Sequence, residues 1–568
     1  MIRSTRIKTT LLLVLFFLIL LGSIYFYESK EIRDGLFSAV KIVDISGHGI
    51  AETGLYYDLN HDSDTWYAFL PSMKDKKKLR ITFEGCDHIE FEDINGYSIS
   101  FDDYDSFSGL NPFETYYLKF IDRHGNTLTK GKFMYLQSED IASLFVKTDP
   151  RGLEYIESSK KHRETGEILL KNENGETDYS GRLEIIKGRG NTSWNYEKKP
   201  YALKLEKKAS LLGMGVSKKW ALLAGYADRS AVRDVLVRYI AEEMNMRFVP
   251  AVRYVDLYIN GEYRGLYLLA EKIEAAEDKL DITDLQRKNR KANLKPPKNY
   301  TAVSENASGP GERHGFRITN PDDITGGYII EKNYIDRYTR FLSRFRLNNG
   351  EKYCVRSPEY ASIEEVNYIA GVMQEISDRA ANGEDISELA DLKSFADKFL
   401  LEEFVANEAS GATSSYFYKD SDKKDPHVYA GPVWDYDKCL GNAMNSEIDD
   451  PRHLTFLTAH PSATRLYYDL YNKNENYREL VRTEYINVLR PVIRKILDED
   501  ILEELSDIPS SDEMSPLRWH GNTEDIKNAA GEVHQFMEER LQFFDEVFVE
   551  EKELRFEKSP TGVLSTIP

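Results

Sequence analysis

The hydrophobic period of this chain changes once, near Ser362, and that change limits the fold more than any other feature. Before it, apolar residues mostly alternate. "KLRITFEG" sets Leu79, Ile81 and Phe83 between polar neighbours. "TYYLKF" does the same with Tyr116, Leu118 and Phe120, and "KFMYLQ" with Phe133 and Tyr135. Period two, broken by Gly, Asn and Asp turns, predicts half-buried strands. Residues 38–147 therefore read as a small β-sandwich-like domain, a spacer or interaction module with no catalytic cluster. After Ser362 the chain reads as helical. Ser362 and Glu365 form a capping box, Gly383 stops that helix, and further helices are expected over 392–407, 476–498 and 523–549. The order predicts an α+β protein, a β-rich part followed by a helical one.

Between these regions the pattern is mixed. "GEILLKN", "GRLEIIKGRG", "PYALKLEK" and "WALLAG" read as strands. Asp228 is expected to cap a helix on which Val232, Val235, Leu236, Tyr239 and Ile240 recur at helical spacing. "RYVDLYINGEYRGLYLLAEKIE" is a hairpin with Asn260-Gly261 at a type I′ turn. A mixed sheet with one inserted helix follows. Residues 284–316 are basic, then rich in Pro, Ser, Asn and Gly, and read as a flexible surface insertion or a substrate-docking loop. Residues 551–568 are left as a tail.

A net charge of −20 over 568 residues argues against nucleic acid as a partner, because phosphate binding needs clustered Lys and Arg. At the N-terminus, Arg3, Arg6 and Lys8 precede an apolar run over 11–27. That run approaches the ~20 residues of a bilayer-spanning helix. Residues 1–30 are therefore expected to be a signal anchor, a transmembrane helix with its basic end in the cytoplasm and the rest of the chain outside. Secretion after signal cleavage is the alternative. Cys86, Cys354 and Cys439 share no metal-binding spacing and read as free thiols.

Four stretches could carry chemistry. In "IIKGRGNTSWNYEKKPYALKL", Gly188 and Gly190 flank Arg189, with Asn191 behind. Such a turn exposes backbone N–H groups to an anion, and Arg189 adds a planar fork; an ordinary glycine turn is the bland alternative. Lys199 and Lys204 follow. Leu203 and Leu205 point one way, so Lys204 faces the other, to solvent or to a phosphate. Glu271 ends the hairpin at "LLAEKIE". Last, "GPVWDYDKCLGN" holds Asp435 and Asp437, which share a side of a regular strand while Trp434 and Tyr436 take the other. Magnesium takes one or two carboxylates plus phosphates. An acidic turn, or a calcium site, is the competing reading.

These motifs, together with "KKWALLAGYADRSAVRD", "GGYIIEKN" and "SSYFYKD", occur in an order that resembles the spore coat protein H (CotH) kinase family, over about residues 145–545. The resemblance implies an atypical protein-kinase-like fold over 148–550 with a β-rich N-lobe and a helical C-lobe. It implies ATP and Mg²⁺, and phosphate transfer to serine of a serine-rich envelope or spore-coat protein. By the same resemblance, Lys204, with Lys199 second, would contact phosphate, and Gly188, Arg189, Gly190, Asn191 and Glu271 would border the nucleotide. Asp437 would be the main magnesium ligand and Asp435 its helper. Arg233 would brace the lobes. One position departs from the family. Aligned on "YFYKD", the family's N-x-D falls on Asn407 and Ala409, and a methyl group cannot accept a proton. Glu408 is the candidate replacement. Activity is expected to be weak or lost, with a nucleotide-binding pseudokinase or a non-catalytic envelope scaffold as alternatives.

Overall fold

The computed structural model describes residues 30–57, 64–149, 151–307, 309–409, 411–458, 465–508, 510–519 and 526–550, with two terminal strands, Arg555–Lys558 and Leu564–Ile567. The expected anchor at 1–30 lies outside these residues except for its last position. Among the described residues no helix is long and apolar enough to cross a membrane.

The N-terminal domain packs two sheets face to face. A three-stranded sheet (Glu52–Gly54, Lys41–Asp44, Leu79–Thr82) lies against a six-stranded one in the order Tyr56–Tyr57, Thr65–Leu70, Thr127–Gln137, Thr115–Ile121, His88–Glu92, Ser98–Phe101. Ile81, Phe91, Leu118, Phe120 and Phe133 fill the space between, as the alternation in the sequence requires, and Phe37 stacks on Trp66 with ring centroids 4.5 Å apart.

The mixed sheet expected next is instead a closed barrel. Its strands run Ala142–Thr148, Glu164–Lys171, Thr177–Gly188, Tyr201–Ala209, Ser217–Leu223, Glu262–Glu271, Val252–Ile259, and a parallel pairing of the last with the first closes it. The boundary expected at 147/148 therefore falls before Ala142. The strand that follows belongs to the barrel, because both of its edges are paired there. Leu144, Ile168, Leu170, Leu203, Trp220, Leu222 and Leu269 fill the barrel interior. The outer face is also largely covered. Phe145, Leu169, Tyr258 and Tyr263 seat the N-terminal domain through Tyr67 and Phe69, while Ala221, Val252, Leu268 and Ala270 face the rest of the chain. Burial on both faces explains the unbroken apolar runs "WALL" and "LYLLA". A buried ion pair between Lys171 and Asp44 also joins the barrel to the N-terminal domain.

The third unit is a seven-stranded antiparallel sheet in the order Thr301–Glu305, Arg313–Arg317, Arg344–Arg346, Lys352–Ser357, Tyr328–Lys332, Ser415–Lys419, Val428–Ala430. Its core is shared with the helices Arg233–Glu243, Ile363–Asn382, Leu392–Val405, Arg465–Lys473 and Ile526–Phe548. The helix Ile363–Asn382 has the capping box of Ser362 and Glu365 and a left-handed Gly383 at its end. The segment 284–316, expected as a flexible insertion, is built into this unit. Leu285–Ala292 is a helix that buries Leu285 and Asn289 on one face, and two strands extend the sheet edge. Its Pro, Ser and Gly residues mark turns between short elements. Asp228 is not the cap residue of Arg233–Glu243, since Val232 precedes the first turn, but its carboxylate does accept the Arg233 N–H at 3.2 Å.

The three cysteines are free, as expected, with Cys354 and Cys439 buried. His453 is also buried, and burial, followed by the Arg540 charge, lowers its pKa to about 4. The unfolded imidazole protonates below about pH 6.5. Its contribution to stability is therefore present above pH 6.5 and is lost as pH falls towards 4. Between pH 6.5 and 5 this loss amounts to about 2 kcal/mol. Urea unfolding of His453→Asn is expected to show a correspondingly flatter dependence over that interval than the wild type.

Candidate functional site

A cavity of about 380 Å³ opens where the barrel's outer face meets the sheet-and-helix unit. Its barrel wall carries Arg189, Lys198, Leu223 and Tyr267; its opposite wall carries Asp228, Asp234, Trp434, Asp435 and Asp437. Trp434 separates the two units. It packs against the Ala221/Ala270 face of the barrel and also beside Tyr416 and Tyr418 of the sheet. The Arg189 and Arg238 guanidiniums lie 5.8 and 5.7 Å from its ring centre.

The loop after Trp434 is held from the helix Arg233–Glu243. Arg233, buried, donates to the carbonyls of Cys439 at 2.9 Å and Leu440 at 3.1 Å and pairs with Asp228 at 2.6 Å. Asp234 accepts the Tyr436 N–H at 3.3 Å and the Arg238 Nε at 2.8 Å. These bonds bring Asp228, Asp234, Asp435 and Asp437 into one neighbourhood. Asp435 and Asp437 are not alternate residues of a strand as expected. Asp435 has φ +77°, and the chain turns there. Ser414 Oγ donates to the Asp435 carboxylate at 2.8 Å. Burial, then Asp435, Asp234 and Asp228, push the Asp437 carboxyl up to about 7.

Among the described residues no three His, Cys, Asp or Glu side chains are grouped to hold a metal ion unaided. The donor set still suits a hard cation that brings other oxygens with it. Asp228 and Asp234 are neutralised by arginines, whereas Asp437 is half-buried among carboxylates, and a cation beside it would relieve that repulsion.

Several expected site residues lie elsewhere. Lys204 stands on the barrel's outer face, pairs with Glu184 and does not line the cavity. In the strand register it lies beside Lys219, on the same outer face as Ala202 and Ala221. Lys199 closes its own turn by donating to Trp194 O at 2.9 Å and Tyr196 O at 2.6 Å. Asn191 is exposed and does not line the cavity. Glu271 is buried at the strand end, where it accepts the Ala251 N–H at 3.0 Å, and does not line the cavity either. The glycines serve the turn's packing. A Cβ on Gly188 would stand 2.0 Å from the Trp194 ring, and Gly190 has φ +82°. Glu408 accepts the Met444 N–H at 3.0 Å and lies 4.0 Å from Lys438. Ala409 sits in a turn that accepts the Thr413 N–H at 3.1 Å. Of the expected residues, Arg189, Asp435 and Asp437 are brought together.

Asp228, Asp234 and Lys198 line the cavity and are not among the site residues expected from the sequence. Asp228 and Asp234 bracket "DRSAVRD", and an acid at each end of a motif beside a helix start was the available signal. Lys198 carried none. It is buried on the cavity wall, donates to Leu266 O at 2.6 Å and Ser515 Oγ at 3.3 Å, and burial lowers it to about 7. Tyr196 and Tyr226, stacked with centroids 5.1 Å apart, also line the cavity.

An α+β protein with an acid-and-arginine cavity between a closed barrel and a second sheet has the elements of a phosphate-handling site. The model of the family described as "CotH kinase protein" matches residues 186–544, and the chain belongs to that family. Membership suggests an atypical kinase. No curated protein matches the chain.

Arg233→Ala is expected to cost about 3–5 kcal/mol in urea unfolding, since it leaves Asp228 buried and unpaired and frees two carbonyls.

Proposed function

We propose that this protein is a CotH-type kinase that binds Mg-ATP in the cavity between Arg189 and Asp437 and transfers the terminal phosphate to serine of an envelope or spore-coat protein. In this reading the barrel is the β-rich lobe, the sheet-and-helix unit is the second lobe, and residues 1–30 hold the chain at a membrane with its domains outside the cytoplasm. The observation that carries it is the meeting of Arg189 with Asp435 and Asp437 in one cavity, next to the stacked Tyr196 and Tyr226. Family membership over 186–544 supports it.

Within that cavity Arg189 offers a cationic donor for phosphate oxygens, and Lys198, lowered to about 7 by burial, gains its proton more readily beside a bound phosphate. Asp437, helped by Asp435, would hold magnesium, which supplies charge neutralisation on the phosphates. In the transfer, a serine Oγ bonds to the terminal phosphorus, the bond to the bridging oxygen breaks, and ADP departs with the electron pair. The hydroxyl proton must leave. Ala409 cannot take it, and the Glu408 carboxylate is engaged by the Met444 N–H. A base contributes ~10²–10⁴-fold, while positioning and charge supply most of phosphoryl-transfer catalysis. Turnover is therefore slow. The same two facts favour the second reading, a pseudokinase that binds nucleotide and acts as a scaffold.

Thermal melting of the full chain tests nucleotide binding. ATP with Mg²⁺ is expected to raise the melting temperature, by mass action worth about 2.7 kcal/mol at a hundredfold excess over Kd. Asp437→Asn is expected to abolish the rise and Lys204→Ala to keep it. Absence of any rise in the wild type overturns both readings.

Radiolabelled ATP tests catalysis. Ala409→Asp is expected to transfer phosphate to a serine-rich acceptor at least ~10²-fold faster than wild type. Equal rates would mean that the proton leaves by another route.

A further inference from the structure

The helix Ser511–Trp519 lies along the barrel strand Glu262–Glu271 and supplies Ser515 and Pro516 to the cavity wall. It is tied down at both ends. At its start the Ser511 hydroxyl donates to the buried Asp256 carboxylate at 2.6 Å. At its end the Arg518 Nε donates to Tyr263 O at 3.3 Å and the Trp519 indole to Arg264 O at 2.8 Å. Met514 and Leu517 are buried in the apolar cluster that holds Phe69, Tyr258 and Tyr263. Gly265, at φ +93°, permits the close approach. A Cβ there would stand 2.8 Å from Trp519 Nε1 and 2.9 Å from Ser515 Oγ.

Between these anchors Ser515 meets Lys198. The Lys198 Nζ donates to Ser515 Oγ at 3.3 Å and to Leu266 O at 2.6 Å, and it stands 4.9 Å from the centre of the Tyr267 ring. The charges it feels are Asp256 and Arg264, which act with opposite signs. Hydrogen bonds, not an ion pair, therefore fix where the ammonium stands. An ammonium carries three donors. Two are directed to the helix and to the barrel backbone, and the third is left for a ligand in the cavity that Lys198 lines.

We propose that the helix Ser511–Trp519 is a strap and that Ser515 is its positioning residue, whose hydroxyl fixes the Lys198 ammonium on the cavity wall with one N–H directed to a phosphate oxygen of the nucleotide. The proposal deepens the kinase reading and rests on it for the identity of the ligand. The positioning itself is measured without nucleotide.

The test is competitive acetylation of the full-length protein with acetic anhydride from about pH 5 to 9, the Lys198 peptide being read by mass spectrometry. Alanine suits a helix interior better than serine, so Ser515→Ala keeps the helix. A hydroxyl that accepts from an ammonium favours the charged form, and Ser515→Ala is expected to lower the titration midpoint of Lys198 by about half a unit or more. Mere loosening of the helix would admit water and raise it. Ser515→Cys, which fills the same space with a weak acceptor, is expected to shift the midpoint the same way. Mg-ATP is expected to protect Lys198 of the wild type from acetylation, and Ser515→Ala to need about threefold or more nucleotide for half-protection. A midpoint that stays or rises in both variants overturns the positioning. Unchanged half-protection in Ser515→Ala overturns its part in holding the ligand. A lowered midpoint without any protection by Mg-ATP in the wild type supports the positioning and overturns the nucleotide reading of the cavity.

Discussion

The site depends on one buried guanidinium. Arg233 stands at the start of the helix Arg233–Glu243 and holds Asp228 through an ion pair and the carbonyls of Cys439 and Leu440 through hydrogen bonds. Those carbonyls end the loop that contains Asp435 and Asp437. A loop of such sharp backbone, with a non-glycine residue at positive φ, keeps its shape only if its surroundings over-determine it. Arg233 does this from one side, Asp234 from below through the Tyr436 N–H, and Ser414 from the sheet. Removing the central donor would free backbone, charge and loop together.

The same arrangement explains how a barrel and a sheet form a cavity rather than a continuous core. The barrel's outer face divides into an apolar side that seats the N-terminal domain and an apolar side that takes Trp434. Beyond Trp434 both walls become polar, and the space between them stays open. Lys198 and Arg189 line one side and the carboxylates the other. The N-terminal domain is not a loose spacer. Its Ser138 meets Ser511, which donates to the buried Asp256 of the barrel, and the helix Ser511–Trp519 also sends Ser515 to Lys198. One short helix thus touches the N-terminal domain, the barrel and the cavity wall.

Much of the local structure was legible. The capping box at Ser362, the Gly383 stop and the Asn260-Gly261 turn are short-range signals that depend on neighbours a few residues away. The alternation of Leu118, Phe120, Phe133 and Tyr135 marked the inward face of the first domain for the same reason. The helix and hairpin within 284–316 were not legible. Leu285 and Asn289 are too few to set a period, and their burial depends on Tyr328 and Glu365, which lie far along the chain. Barrel closure was hidden too, because the pairing of Ala142–Thr148 with Val252–Ile259 joins strands a hundred residues apart.

For the site, the sequence by itself identified the motifs, their order and the residue types: an arginine between glycines, a pair of aspartates behind a tryptophan, and an alanine where the family places an acid. It put Lys204 first and Lys199 second as the phosphate contact and did not single out Lys198, which lies beside the same proline. The tertiary structure separates the three by position. Register turns Lys204 to Glu184, the turn's own carbonyls hold Lys199, and Lys198 alone of the three lines the cavity. Nor could it join Asp228 and Asp234 to Asp435 and Asp437, across some two hundred residues of chain. Side-chain direction within a strand is a local property, but which face meets a cavity is set by what closes over it, and that information lies in contacts remote in sequence.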